Sequence, residues 1–294
     1  MIFLVDASVY VFRAYYSLPP DMRDGDGNPV HALYGFARFL GDLLEREKPE
    51  YMAVAFDASL TSSFRNQIYP PYKANREPAP PDLALQFERC RHFCERLGIA
   101  WFDSTEFEAD DLIGTLAARM RAEGLRCTIV SRDKDLAQLI TPGDVYWDYS
   151  GNARYRHGEI AGRFGVPPER YADYLALTGD AVDNIAGVPG VGPKTATVLM
   201  TAFASLEDLY ERVDVVRDLP LRGAASLVER LRRHREVAFL ARQLTRIRCD
   251  VTLAVTRDQL RRRTPDMNGI DEFCSGNGFG ELLRRQAARL CGTA

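Results

Sequence analysis

The sequence is poor in the residues and segments that mark several large classes of protein. Its four histidines are scattered, so no His-based catalytic triad or zinc site stands out. Its six cysteines include no CxxC pair, which disfavours a structural zinc site or a redox motif. No apolar run approaches the roughly 20 residues of a membrane-spanning helix, and the N-terminus lacks the basic start of a signal peptide. We therefore expect a cytoplasmic protein that has no membrane partner.

Charge is distributed unevenly, although the net charge is only −3. Residues 211–263 contain 14 Arg against 7 Asp or Glu. Residues 101–150 contain 10 Asp or Glu against 5 Lys or Arg. An acidic centre with a basic flank suits an enzyme that binds cations in one place and phosphates in another. The arginines taken alone could equally form a solvated helix face.

The order of apolar and amphipathic segments predicts an α/β fold. Short apolar runs predict strands, at residues 2–5, 51–56, 98–102 and 127–131. Amphipathic patterns predict helices, at 31–47, at 108–123 and from Lys134 onward. This alternation is typical of a mostly parallel central sheet flanked by helices, which gathers its ligands at the carboxyl ends of the strands.

The second part of the sequence has a different pattern. From about residue 156 the strands largely vanish and helical patterns follow, at 156–165, 168–178, 190–202, 205–212 and 223–246. We place a domain boundary near residue 165, within the segment GVPPE. The prediction is an α/β domain over residues 1–165 and a helical domain over residues 166–294.

Acidic residues stand where the strands of the first domain should end. Asp6 follows FLV, Asp57 follows MAVAF, and Asp133 and Asp135 follow TIVS. One acid in such a place could be a helix cap. Acids at three strand ends would repel one another unless cations bound them, so the pattern predicts a cation site.

Two further groups of acids extend this prediction. Glu108, Asp110 and Asp111 open a helix, where they could simply complement the helix dipole, but three acids within four residues exceed what a cap needs. Asp180 and Asp183 are three residues apart, so a helical turn would point both one way. The nine acids form an oxygen-only ligand set, which favours Mg²⁺ or Mn²⁺ over zinc. Two such ions about 4 Å apart are a recurring device for cleaving phosphodiesters.

The segment YPPYKANRE supplies Tyr72, Lys73 and Arg76. A helix there would place Lys73 and Arg76 on one face, where basic groups would support cleavage of a phosphodiester. A purely structural role for these side chains is equally open.

The segment GVPGVGPKTA has closely spaced glycines and is followed by a helical pattern. Such a hairpin lets backbone N–H groups approach a phosphate without interference from side chains. It resembles the helix-hairpin-helix element that grips the DNA backbone independently of sequence. The predicted DNA contacts lie on this hairpin and at the start of the helix, at Gly187, Val188, Gly190, Val191, Gly192, Lys194 and Thr195.

These motifs together match a known family. The chain resembles the 5′-nuclease domain of bacterial DNA polymerase I and the related phage 5′→3′ exonucleases and flap endonucleases. The resemblance covers nearly the whole length, in the family order, through VDASVYVFRAYY, FDASLTSSFR, YPPYKANR, FEADDLIGTLA, SRDKDLAQL and GDAVDNIAGVPGVGPKTA. The ending FGELLRRQAARL resembles the last segment of that domain, which implies a stand-alone nuclease or a domain excised from a polymerase.

The resemblance implies roles for individual residues. All nine acids would bind two Mg²⁺ ions, for which Mn²⁺ may substitute, at Asp6, Asp57, Glu108, Asp110, Asp111, Asp133, Asp135, Asp180 and Asp183. Lys73 and Arg76 resemble the basic residues of a helical arch that contact the scissile phosphate. Arg13 and Tyr72 resemble further substrate contacts, and the hairpin is similar to one that often holds a K⁺ ion. Val182 and Ala186 replace a Ser and a Pro that are frequent in the family, which could alter that K⁺ site.

The sequence predicts a monomeric, structure-specific 5′-nuclease that cleaves DNA at a 5′ end or 5′ flap and leaves 5′-phosphates. Two alternatives remain open. One is a non-catalytic protein that recognises branched DNA and keeps the acids as a structural cation site. The other is a ribonuclease of the PIN type, which has a similar acidic sheet edge but is disfavoured by the hairpin.

Overall fold

The computed structural model describes residues 1–58 and 62–291. Residues 59–61, which belong to the FDASLTSSFR motif, lie outside the described residues, as do residues 292–294 at the end of the predicted second domain. In the described ranges, no helix has both the length and the apolar character needed to cross a membrane.

A six-stranded sheet forms the centre of the first part of the chain. Its strands are β1 (Ile2–Asp6), β2 (Tyr51–Ala55), β3 (Ala100–Phe102), β4 (Cys127–Val130), β5 (Val145–Asp148) and β6 (Ala153–Arg156). They lie in the order β3-β2-β1-β4-β5-β6, with parallel pairing up to β5 and antiparallel pairing between β5 and β6. The central strand β1 is buried on both faces, which explains its continuously apolar sequence.

Helices cover both faces of this sheet. On one face Phe3 and Val5 share a core with α1 (Ala7–Ser17), α2 (His31–Glu47) and α4 (Pro81–Arg96). On the other face Ile2 and Leu4 pack against three elements: α5 (Ala109–Ala122), a 3₁₀ helix (Lys134–Leu139) and α6 (His157–Phe164). The alternation of side chains along β1 therefore supplies two separate cores. A short helix, α3 (Phe64–Ile68), precedes α4.

A second helical core follows along the chain. It is built by α7 (Pro168–Thr178), α8 (Pro193–Ala202), α9 (Leu206–Glu211), a 3₁₀ helix (Val213–Asp218), α10 (Ala224–Arg233) and α11 (Arg235–Thr245). Between α7 and α8 lies a small antiparallel pair, β7 (Gly179–Asp180) and β8 (Ile185–Ala186). A further 3₁₀ helix (Arg257–Leu260) precedes the last two helices. The predicted α/β fold with a helical C-terminal part is confirmed.

The last two helices return to the first part of the molecule. α12 (Met267–Gly276) packs on α4 and α13 (Glu281–Leu290) packs on α2. Ile270 and Leu283 thereby join the core that contains Val5. The predicted boundary near residue 165 falls between α6 and α7 and stays a prediction.

Several elements of the structure differ from the sequence prediction, and three of them have a clear physical reason. α1 was not predicted, because its VYVF run has the β-branched and aromatic residues typical of a strand. The helix predicted over 223–246 is two helices, since His234 leaves the helical conformation with φ −107° and ψ 24°. The helix predicted over YPPYKANRE is wrong, because residues 70–75 form consecutive turns in which Lys73 has a φ of 55°.

Candidate active site

Three neighbouring strands bring acids to one edge of the sheet. Asp6 ends β1, while Asp57 and Asp133 follow the ends of β2 and β4, which flank β1. These three acids line one cavity of about 110 Å³ together with Asp110 from the first turn of α5. The strand-end acids of the sequence prediction are therefore brought together.

Burial and neighbouring acids raise the pKa values of Asp6 and Asp110 in this cavity. Asp6 is 3% exposed, and burial together with the charge of Asp57 raises its pKa to about 7. A 2.7 Å hydrogen bond that Ser131 Oγ donates to Asp6 Oδ2 opposes this rise only in part. Burial and the charges of Asp133 and Asp6 raise the pKa of Asp110 well above its ordinary value. Such a group of carboxyls is costly unless a cation binds it.

Asp133 and Asp135 continue the cluster beyond β4. Asp133 Oδ1 accepts a 2.9 Å hydrogen bond from the Asp135 backbone N–H, which begins the 3₁₀ helix. Burial raises the pKa of both carboxyls. Asp135 Oδ1 is buried and has no hydrogen-bond partner in the described part of the chain. A buried carboxylate oxygen without a donor is suited to a cation.

Lys73 and Arg76 project toward this cluster from the turn segment. Lys73 Nζ lies 3.0 Å from Glu108 Oε1 and 3.9 Å from Asp183 Oδ2, and Arg76 forms an ion pair with Asp183. Burial alone would raise the pKa of Glu108, but Lys73 and Arg65 outweigh burial and leave that pKa lowered. Lys73 and Arg76 thus reach the acids without the helical arrangement that the sequence suggested.

Lys134 is a functional-site residue that the sequence prediction missed. It stands between two predicted metal ligands, and its Nζ lies 2.8 Å from Asp180 Oδ2. Its position inside the motif SRDKDL was the available clue. Asp180, in β7, is therefore ion-paired with the first residue of the 3₁₀ helix that follows β4.

Tyr72 holds the turn segment over the acids. Its side chain is 3% exposed, and its hydroxyl lies 3.0 Å from Glu108 Oε2 and 3.3 Å from Asp183 Oδ2. The Lys73 backbone N–H donates a 3.0 Å hydrogen bond to the Asp183 carbonyl. Asn184 Nδ2 donates a 2.7 Å hydrogen bond back to the Pro71 carbonyl. Tyr72 contacts two acids in this geometry, and the substrate contact that the resemblance implied for it stays a prediction.

Asp111 is the one predicted ligand that turns away from the cavity. It is 0% exposed and forms a bidentate ion pair with Arg65, with N–O distances of 2.6 and 2.8 Å. Its oxygens also accept hydrogen bonds from the backbone N–H groups of Glu108 and Arg248. Arg65, which the sequence prediction missed, further donates a 2.7 Å hydrogen bond to the Leu244 carbonyl. The metal-ligand role implied for Asp111 does not fit, because four hydrogen bonds already occupy its oxygens.

The donor chemistry fits divalent cations. Within residues 1–58 and 62–291, no three His, Cys, Asp or Glu side chains are arranged to hold one metal ion. The fit rests instead on oxygen donors with raised pKa values and on the unpartnered Oδ1 of Asp135.

The predicted DNA-binding hairpin lies between β8 and α8. Val188 and Val191 are buried in the second helical core and fix the loop from inside. Gly190, with a φ of 76°, Gly192 and Lys194 are exposed. Anchored apolar side chains thus leave a glycine backbone facing solvent. Arg13 lies on the exposed side of α1, and its predicted contact with substrate remains untested.

Comparison with known proteins identifies the family. The family described as "5′-3′ exonuclease, N-terminal resolvase-like domain" matches residues 1–165, and "5′-3′ exonuclease, C-terminal SAM fold" matches residues 166–268. The chain is 34% identical to the 5′-3′ exonuclease of Buchnera aphidicola subsp. Schizaphis graminum, over 95% of the chain and 97% of that protein.

One further relative and one solved structure extend this comparison. The chain is 36% identical to DNA polymerase I of Rhizobium leguminosarum, over 97% of the chain but 28% of the polymerase. The fold superimposes with a TM-score of 0.67 on T5 5′-exonuclease bound to zinc, at 18% identity, covering 99% of this chain and 98% of that one. The chain therefore belongs to the 5′-3′ exonuclease family of nucleases.

Proposed function

We propose that this chain is a structure-specific 5′-nuclease, acting as 5′→3′ exonuclease and flap endonuclease, that hydrolyses DNA phosphodiester bonds and leaves 5′-phosphates. The observation that carries the proposal is the cavity in which unpaired strand-end carboxyls face Lys73 and Arg76. Carboxyls hold divalent cations, and the two basic side chains can meet a phosphate beside them. The family match supports a nuclease, and the preference for a 5′ end or flap belongs to the proposal.

The acids of this site bind Mg²⁺, or Mn²⁺ in its place. Eight of the nine predicted ligands remain suitable: Asp6, Asp57, Glu108, Asp110, Asp133, Asp135, Asp180 and Asp183. The chemistry that two bound divalent ions supply in such sites is activation of water and stabilisation of charge on the phosphate. A K⁺ ion at the hairpin stays a prediction.

Lys73 and Arg76 act on the phosphate itself. Both side chains line the cavity, where Lys73 is ion-paired with Glu108 and Arg76 with Asp183. A phosphate that enters the cavity therefore competes with these two acids for the two basic side chains. Stabilising charge that develops on the phosphate favours the transition state over the bound substrate. Lys73→Ala should therefore lower turnover by roughly 10²-fold, and more than it weakens DNA binding. Wild-type turnover in that variant would remove Lys73 from the catalytic site.

The rest of the chain positions the DNA. The exposed glycine backbone of the hairpin, with Lys194 and Thr195, anchors the duplex through its phosphates. The segment around residues 70–95 admits the single-stranded 5′ end, and Arg13 contacts the substrate nearby. We further propose that the protein works as a monomer in the cytoplasm.

Cleavage of end-labelled substrates tests the proposal. Flap, nicked and single-stranded DNA, with RNA strands of matched sequence, are incubated with Mg²⁺ or with EDTA. The proposal predicts Mg²⁺-dependent cuts near the 5′ end of DNA, with 5′-phosphate products. Binding of branched DNA without cleavage would favour the non-catalytic alternative, and preferential cleavage of RNA would favour the ribonuclease.

A further inference from the structure

Arg230 lies directly against the glycine hairpin. It belongs to the last turn of α10, far along the chain from the hairpin. Its Cζ, Nη1 and Nε atoms lie 3.4, 3.5 and 3.6 Å from the position that a Cβ on Gly190 would occupy. The guanidinium therefore lies beside the loop, within van der Waals distance of where a side chain on the exposed, left-handed Gly190 would begin.

No ion pair neutralises the charge of Arg230 within residues 1–58 and 62–291. In the part of the chain that the structure describes, Arg230 forms no ion pair, and its Nε is buried without a hydrogen-bond partner. Arg232, two residues on, lies 2.6 Å from Asp214 and 3.1 Å from Glu229. Since a guanidinium carries five N–H donors, the half-buried guanidinium beside the hairpin can take an acceptor from outside the chain.

The surroundings define the chemistry of that acceptor. The hairpin presents the exposed backbone of Gly190 and Gly192, and Lys194 adds a second exposed cation. Backbone N–H groups at a helix start favour anions, and the planar fork of an arginine matches the oxygens of a phosphate. We propose that Arg230 binds a phosphate of the DNA backbone, completing the hairpin as a phosphate site.

This inference rests on the proposed function, because it assumes that the hairpin binds DNA. It adds a residue from α10, so that two separate segments hold the duplex backbone. The proposal also gives different roles to the arginines of this basic part of the chain. Arg230 serves DNA, whereas Arg232 serves the fold through Asp214 and Glu229.

Salt-dependent binding of a 5′-flap DNA, measured by fluorescence anisotropy in EDTA, tests the proposal. Arg230→Gln should weaken binding roughly tenfold. It should also reduce the slope of log affinity against log salt by about 1, the value for one lost phosphate contact. Arg230→Lys should keep most of the slope, since it keeps the charge. Arg232→Gln removes the same charge from the same helix and should leave the slope at the wild-type value.

Two results would overturn the assignment. One is a wild-type salt slope in Arg230→Gln; the other is an equal loss of slope in Arg232→Gln, which would indicate a general charge effect. The assignment would also fail if Arg230→Gln and Arg230→Lys lost DNA affinity equally and both had a lower melting temperature. Arg230 would then stabilise the packing of the protein rather than bind DNA. The wild-type protein separates this outcome from failure of the proposed function: if it binds and cuts the flap while Arg230→Gln binds equally well, only the Arg230 assignment fails.

Discussion

Eight of the nine acids predicted as metal ligands fall into two groups with opposite surroundings. Asp6, Asp110, Asp133 and Asp135 lie together with raised pKa values. The other group is held by side-chain cations, in the pairs Glu108–Lys73, Asp111–Arg65, Asp180–Lys134 and Asp183–Arg76. The carboxyls of the first group repel one another, whereas those of the second group are balanced by side-chain cations.

Asp110 and Asp111 show the contrast between neighbours. Both stand in the first turn of α5. Successive helical residues point about 100° apart, so one carboxyl enters the cavity and the other enters the protein interior. Asp110 meets other acids, and Asp111 meets Arg65. The same side chain at adjacent positions therefore lies among the cavity acids in one case and in a buried ion pair in the other.

Asp110→Asn should give the largest effect, because it removes a cavity carboxyl without changing the shape of the side chain. We expect Mg²⁺-dependent cleavage to fall roughly 10³-fold or more, since several kcal/mol of transition-state stabilisation depend on the metal site. The protein should stay folded. Steady-state turnover and melting temperature measure the two effects. Glu106→Gln, at an exposed acid near the same helix, is the control and should cleave at the wild-type rate. Wild-type cleavage by Asp110→Asn would contradict the distinction between the cavity acids and the acids that are paired with side-chain cations.

Asp111→Ala should have its main effect on stability rather than on catalysis. It leaves Arg65, whose side chain is 3% exposed, as an uncompensated buried charge. We expect the free energy of unfolding to fall by about 3–5 kcal/mol, measured by urea denaturation. The double variant Arg65→Met/Asp111→Leu should recover most of this loss. A loss below about 1 kcal/mol would show that the pair is not the structural element described.

Removing a cavity carboxyl should also change the pH dependence of stability, by a smaller amount. The pKa of Asp6 is about 7 in the folded protein and 3.8 ordinarily. The folded state therefore binds more protons between about pH 4 and 7, and metal-free stability falls as the pH rises through that window. Asp6→Asn should then be more stable than wild type at pH 8 by on the order of 2 kcal/mol, with the difference shrinking toward pH 4. If wild type and Asp6→Asn showed parallel profiles of stability against pH in EDTA, the claim that the cavity carboxyls repel one another would be contradicted.

Much of this site could be predicted from the sequence. The strand-end acids follow from apolar runs and from the parallel topology, which brings carboxyl ends to one edge. The hairpin follows from its glycines. The family resemblance supplied the order of the motifs and the type of reaction, which spacing alone did not give.

The rest depends on contacts between distant segments. Arg65 pairs with Asp111 across 46 residues, and a fully buried arginine is not the default for that side chain. Lys73 and Arg76 have helical spacing, but the adjacent Pro70 and Pro71 favour a turn, and the Asp183 loop fixes it. Arg230 lies beside Gly190 only because α8 and α10 pack together in the second helical core.

Thermal unfolding with increasing Mg²⁺ at pH 8 tests the division of the acids most directly. A ligand that binds the folded state raises the melting temperature. Wild-type protein should show such a rise, Glu106→Gln should match it, and Asp110→Asn should lose most of it. A rise in Asp110→Asn equal to that of the wild type would contradict the account, because the unpaired carboxyls would then not be the cation site.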